Sequence, residues 1–142
     1  MRMLTARAGV NLAAINYHFG SKDALIEAVL FRRIAFVNQQ RLELLDACEA
    51  AGEGGVASLE GLIHSFVAPG IRLIHDPNRG GEFFVRLMGL AHSTRADHLW
   101  TMFRERFGPF IERYMTAFSK ALPELAPEEV LWNFFFIAKT MI

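Results

Sequence analysis

Three observations predict an all-α protein. Apolar residues recur at helical spacing along most of the chain, no stretch alternates convincingly with period two, and glycines and prolines punctuate the periodic segments. The spacing predicts helices over 1–8, 12–19, 22–50, 58–75, 81–92, 96–122 and 127–142.

Each boundary has a local cause. Gly9 ends the first segment, where a left-handed conformation costs glycine little. Asn11 can cap the second, which ends at Gly20-Ser21. Ser21 is a natural N-cap for the third, with Asp23 and Glu27 in its opening turns and Arg32 and Arg33 further along. Arg32, Arg33 and Arg41 are expected on its solvated face. Gly52–Gly55 closes that helix, Asp76-Pro77-Asn78 and Gly80-Gly81 form a loop, and Pro123 and Pro127 bracket the last turn. Pro127 suits a first helical position, and Glu128 and Glu129 suit the positive end of the last helix. Gly108-Pro109 is expected to kink the 96–122 segment or split it in two.

At 142 residues the chain can hold one modest core, or a small module attached to a larger one. Its 52% apolar content argues against disorder. Thirteen phenylalanines dominate the aromatics and must fill a core, a cavity or an interface. The single cysteine, Cys48, cannot form an internal disulfide, so a cytoplasmic setting and a buried, inert thiol are expected. No Cys/His cluster has metal-ligand spacing, and neither metal nor cofactor is expected. There is no signal-peptide pattern and no apolar run of membrane-spanning length; Val130–Ile142 is short and contains Asn133 and Lys139. His64, His75, His92 and His98 could meet Glu60, Asp76, Glu82 or Asp97, but no nucleophile–base–orienter spacing stands out, so no enzyme is expected. Net charge is zero but uneven. Residues 1–41 hold six Arg/Lys and two Asp/Glu, and residues 42–142 hold nine and thirteen. A basic end on an acidic body suits a first segment that meets a polyanion.

The informative stretch runs from Leu4 to Leu25. A helix ends at Gly9, Val10 can plug the corner, and Asn11 can cap a helix of about two turns. Ile15 and Phe19, four apart, are expected as its buried stripe. Small Ala13 and Ala14 could approach a surface closely, while Asn16, Tyr17 and His18 carry polar tips elsewhere. This is the build of a helix-turn-helix, whose second helix reads the DNA major groove.

Ala8-Gly9-Val10, Ile15-Asn16-Tyr17-His18-Phe19 and Gly20-Ser21-Lys22-Asp23-Ala24-Leu25 together resemble the DNA-binding signature of TetR/AcrR-family transcriptional regulators over about residues 4–30. The resemblance implies that Asn11, Leu12, Ala13, Ala14 and Asn16 face the groove. It implies that Tyr17, His18 and Lys22 touch phosphates or flank the bases of a double-stranded operator. Asn16 could pair with an adenine edge, Ala13 and Ala14 could meet thymine methyls, and Lys22 could attract a phosphate. Asn16 departs from the commonest pattern, in which the family has Tyr. The family also has a full first helix ahead of Leu4, roughly thirty residues including the opening of the second. The sequence therefore reads as truncated there, and at Ile142, which interrupts an apolar helix. Residues 1–142 alone are expected to bind operator poorly; a gel shift showing tight, specific binding would overturn this.

The whole is expected as a partial helix-turn-helix head with connecting helix, residues 1–41, joined to an incomplete ligand-binding and dimerisation bundle, residues 42–142. The segment from Phe107 to Tyr114, with Ala121–Leu125 and Val130–Phe134, resembles family members from proteobacteria that answer to fatty-acid-like effectors. A small hydrophobic effector is expected among Phe66, Phe84, Met88, Phe103, Phe107 and Phe110, gated at Gly108-Pro109. Arg72, Arg86, His92 and Asn133 are expected to supply its polar contacts. Trp132, Phe134, Phe135 and Phe136 are expected in a homodimer interface. Effector binding would tilt the long helix and release the operator, as repressors of the family do. The alternative is a truncated dimerisation or hydrophobic-ligand module without DNA binding of its own.

Overall fold

The computed structural model describes the backbone of residues 2–76, 81 and 96–140. Six α-helices lie among the described residues, with no strand. They are α1 (Arg2–Ala8), α2 (Leu12–Phe19), α3 (Lys22–Ala51), α4 (Leu59–Ile74), α5 (Ala96–Ala121) and α6 (Pro127–Thr140), with a short 3-10 turn at Glu53–Gly55. The helix expected over 81–92 lies outside the described residues, apart from Gly81. The chain divides into two compact units, Met1–Ala35 and Phe36–Ile142, and the division falls inside α3.

In the first unit, Thr5 on α1 and Leu30, Phe31 and Ile34 on α3 are buried. Ser21 starts α3 as anticipated: its Oγ accepts from Ala24 N at 3.0 Å and its carbonyl from Leu25 N at 3.2 Å.

The second unit packs α5 against both α4 and α6. One face of α4 supplies Leu62, Ser65, Phe66, Pro69 and Leu73, all buried at helical spacing. α5 answers with Phe107, Phe110, Tyr114, Ala117 and Phe118, α6 with Val130 and Phe134, and α3 with Val37 and Leu45. Each large apolar side chain taken from water contributes about 1.5–3 kcal/mol. Cap chemistry sets the ends. Ser58 Oγ accepts from Gly61 N at 3.1 Å to start α4. Glu129 Oε2 accepts from Ala126 N at 2.9 Å, just ahead of Pro127, to start α6. At Gly52 an added Cβ would meet the Val56 carbonyl oxygen at 1.9 Å, so this turn requires glycine.

α5 runs through Gly108-Pro109 as one helix and is not split there. Pro109 and Glu105 are both exposed, so water can take the Glu105 carbonyl that loses its N–H partner. Cys48 is half-buried rather than buried, and its thiol points to the Gly61 carbonyl at 3.6 Å. A Cβ at Gly61 would stand 3.2 Å from that sulfur, so α3 and α4 approach closely here.

Candidate functional site

The path from α1 to α2 is closed by backbone hydrogen bonds. Gly9, at φ +66°, donates to Ala6 O at 3.4 Å, and Val10 N donates to Thr5 O at 3.0 Å. This pair of bonds is the Schellman arrangement, which ends α1 and turns the chain within two residues. Asn11 then caps α2, accepting from Ala13 N on its Oδ1 at 2.9 Å. Gly20, at φ +72°, ends α2 with its N–H on Asn16 O at 2.9 Å.

On a helix of 3.6 residues per turn, Ala13, Ala14 and Tyr17 lie opposite Ile15 and Phe19. Asn16 and His18 flank that outer face, and Leu12 falls beside Phe19; the side chain of Leu12 lies outside the described residues. Ala13, Ala14, Asn16, Tyr17 and His18 are all exposed, Tyr17 at 87%. The Tyr17 and His18 rings meet edge-on at 5.4 Å between centroids. Asn11 is exposed, with Oδ1 engaged in the cap. Lys22 is exposed at the first turn of α3. Two expectations about the opposite side need correction. Ile15 is half-buried but Phe19 is 38% exposed, so the stripe is only partly covered. Val10, expected to plug the corner, is 46% exposed, because the Schellman bonds hold the turn through the backbone instead.

The second unit holds a different kind of site. Phe66 belongs to an aromatic cluster, with ring centroids 4.8 Å from Phe134, 5.3 Å from Tyr114 and 6.3 Å from Phe110. Arg41 lies over the Phe66 ring, its guanidinium carbon 4.1 Å from the centroid. Its Nε donates to Phe66 O at 2.7 Å and its Nη1 to Asn38 Oδ1 at 3.0 Å. The sequence placed Arg41 on a solvated face; it is half-buried instead, on the stripe of α3 that buries Ile34, Val37, Asn38 and Leu45. Burial pushes its basicity down to about 10, against an opposing effect of Tyr114. Arg32, in contrast, is exposed as expected. Tyr114 Oη donates to Arg41 O at 3.0 Å and lies 3.0 Å from Ser65 Oγ, which itself reaches Leu62 O at 2.8 Å. Two hydroxyl protons thus serve three short contacts, and burial pushes the Tyr114 phenol up to about 12.

Two family models match the chain. The one described as "Bacterial regulatory proteins, tetR family" matches residues 1–29, and "Tetracyclin repressor-like, C-terminal domain" matches residues 64–142. The chain belongs to the TetR family. No curated protein matches it closely enough to count as a relative. As a TetR-family protein it is a transcriptional regulator with a DNA-binding N-terminal segment. The first match contains α1, the whole of α2 and the start of α3. Among the described residues no helix is long and apolar enough to cross a membrane.

The residues expected around an effector in this TetR-family chain do not all meet. Phe66, Phe107 and Phe110 are buried, and Phe66 and Phe110 stack. Arg72 and Asn133 are exposed. Phe84, Arg86, Met88 and His92 lie outside the described residues, as does the side chain of Phe103 on α5. Sequence reasoning missed Asn38, Arg41, Ser65 and Tyr114. The signal was present: Ile34, Asn38, Arg41 and Leu45 are spaced four, three and four apart, a helical stripe that puts Asn38 and Arg41 between apolar positions.

Proposed function

We propose that the protein is a homodimeric repressor whose α2 reads the major groove of an operator and which a small hydrophobic effector releases. The observation that carries the reading is the outer face of α2, where Ala13, Ala14 and Tyr17 stand exposed opposite Ile15. Small residues there let the helix backbone approach base edges, and their methyl groups suit thymine. Asn16 offers a donor and an acceptor to adenine. Asn11 and Leu12 open the helix, and Tyr17, His18 and Lys22 suit backbone phosphates. The basic balance of residues 1–41 supports contact with a polyanion. In a dimer the two heads must match half-sites about 34–36 Å apart, and an effector that favours another spacing lowers affinity. The aromatic cluster of Phe66, Phe110, Tyr114 and Phe134, with Phe107 buried nearby in sequence, supports an apolar effector.

The test is selection of duplexes from a random pool, followed by gel shifts across a salt series. A twofold-symmetric site is expected. Lys22→Ala should lower the slope of log affinity against log salt by about one. Asn16→Ala should relax preference at one base step by about 1–3 kcal/mol. Enrichment of no sequence, together with variants that leave binding unchanged, would sink the reading.

A further inference from the structure

Arg41 and Asn38 have donors left over. Among the described residues no carboxylate pairs with Arg41; Asp46 and Glu49, on the same helix, pair with Arg113. Nε and Nη1 of Arg41 are engaged with Phe66 O and Asn38 Oδ1, and no partner meets Nη2. Asn38 is 5% exposed, and its Nδ2 is a buried donor without an acceptor. Its amide cannot usefully flip, because Oδ1 already accepts from Arg41. Folded proteins rarely leave such a donor orphaned, and the half-buried guanidinium beside it has no counter-charge among the described residues.

The geometry is that of a receptor rather than of a simple brace. The guanidinium lies over the Phe66 ring and is held by two hydrogen bonds, one of them to α4 at a turn that contains Pro69, buried in that helix. A planar fork held this way presents its remaining N–H groups along its own plane, where a two-oxygen acceptor can meet them. The missing group must accept hydrogen bonds, carry negative charge and tolerate an aromatic wall. We infer that Asn38 and Arg41 form the receptor for a carboxylate on an apolar effector, whose tail lies against the aromatic cluster around Phe66. The inference rests on the proposed effector-binding role and adds to it the charge, the chemical class and the two residues that read them. The lowered basicity of Arg41 fits this assignment, since burial without a counter-ion disfavours its charge.

Calorimetric titration of the full chain with decanoate and phenylacetate, beside 1-decanol and 2-phenylethanol, tests this. At least one acid should bind about tenfold or more tightly than its alcohol, as expected for a charged hydrogen bond. Arg41→Met should erase that preference. Because Arg41 also holds Phe66 O, the decisive variant is Asn38→Asp, which is nearly isosteric and supplies Arg41 with a carboxylate of its own. It should melt at or above the wild-type temperature, lose the acid and keep the alcohol. Equal binding of acid and alcohol, or undiminished acid binding by Asn38→Asp, overturns the receptor while leaving the apolar effector site intact. Binding of none of the four compounds counts against both readings.

Discussion

At Tyr114 three short contacts share two hydroxyl protons, so loss of one hydroxyl is felt by the others. Tyr114→Phe keeps the ring among Phe66, Phe110 and Phe118 but removes the hydroxyl that reaches Arg41 O and Ser65 Oγ. A loss of about 1–2 kcal/mol in urea unfolding is expected. The phenol has a pH signature of its own. The folded chain holds this proton where the unfolded chain releases it. The stabilisation is therefore full below about 10 and fades as the pH rises towards about 12. Arg41 runs in the opposite sense over the same window, because the penalty for its buried charge shrinks as that charge is lost. Overall stability is thus a poor reporter, and phenolate absorbance is the better one. The difference between wild type and Tyr114→Phe should show one phenol titrating near 12. A normal titration for that phenol would show that it is not sealed from water.

Among the helices, α5 reaches two carboxylates of α3 through Arg113. Arg113 donates to Glu49 Oε1 and Asp46 Oδ1, each at 2.9 Å, and also pairs with Glu49 Oε2. The hydrogen bonds from Arg113 hold the Glu49 carboxyl below its ordinary range, against the opposing effect of burial. The stability this supplies is present above the unfolded value and disappears as the pH falls through the folded one. Glu49→Gln should therefore cost stability near neutrality and flatten the acid limb of an unfolding profile; an unchanged acid limb would show that the bridge carries no weight. On α6, Val130 and Phe134 face the core, while Trp132 and Phe136, one turn apart, are 67% and 65% exposed on another side. If that side joins two copies, Trp132→Glu with Phe136→Glu should give a monomer by light scattering and leave the melting temperature of each chain nearly unchanged. A dimer that survives both charges would place the interface elsewhere.

The helix ends were legible in the sequence because their causes are local. Asn11, Ser21, Gly9 and Pro127 act within a few residues of themselves. The place of Arg41 was not legible in the same way. Its stripe was visible, but its partner is a carbonyl twenty-five residues away on a proline-containing turn of α4. Charge alone argued for solvent. Phe19 misled for the related reason that apolar character predicts a need for cover, and only tertiary packing decides whether cover is present.

Across the whole molecule, burial is unevenly spread. α1 and α2 are seven and eight residues long, below the length at which isolated helices persist in water, and rely on caps and neighbours. α4 and α5 each bury a continuous stripe. Native-state amide exchange should find the amides of α2 opening locally, at a fraction of the global unfolding energy, with the slowest amides around Phe66 and Tyr114. Uniform protection across both units would mean that the short helices are held as firmly as the core.

The outward face of α2 has a consequence for descent. Ala13, Ala14 and Tyr17 touch little of their own chain, and exchanges at such positions usually shift stability by less than about 0.5 kcal/mol. The residues that hold the helix, Asn11, Ile15 and Gly20, are different ones. Duplicated genes can therefore drift at these outward positions one codon at a time, each intermediate still folding, and change what the face can meet without passing through a broken protein.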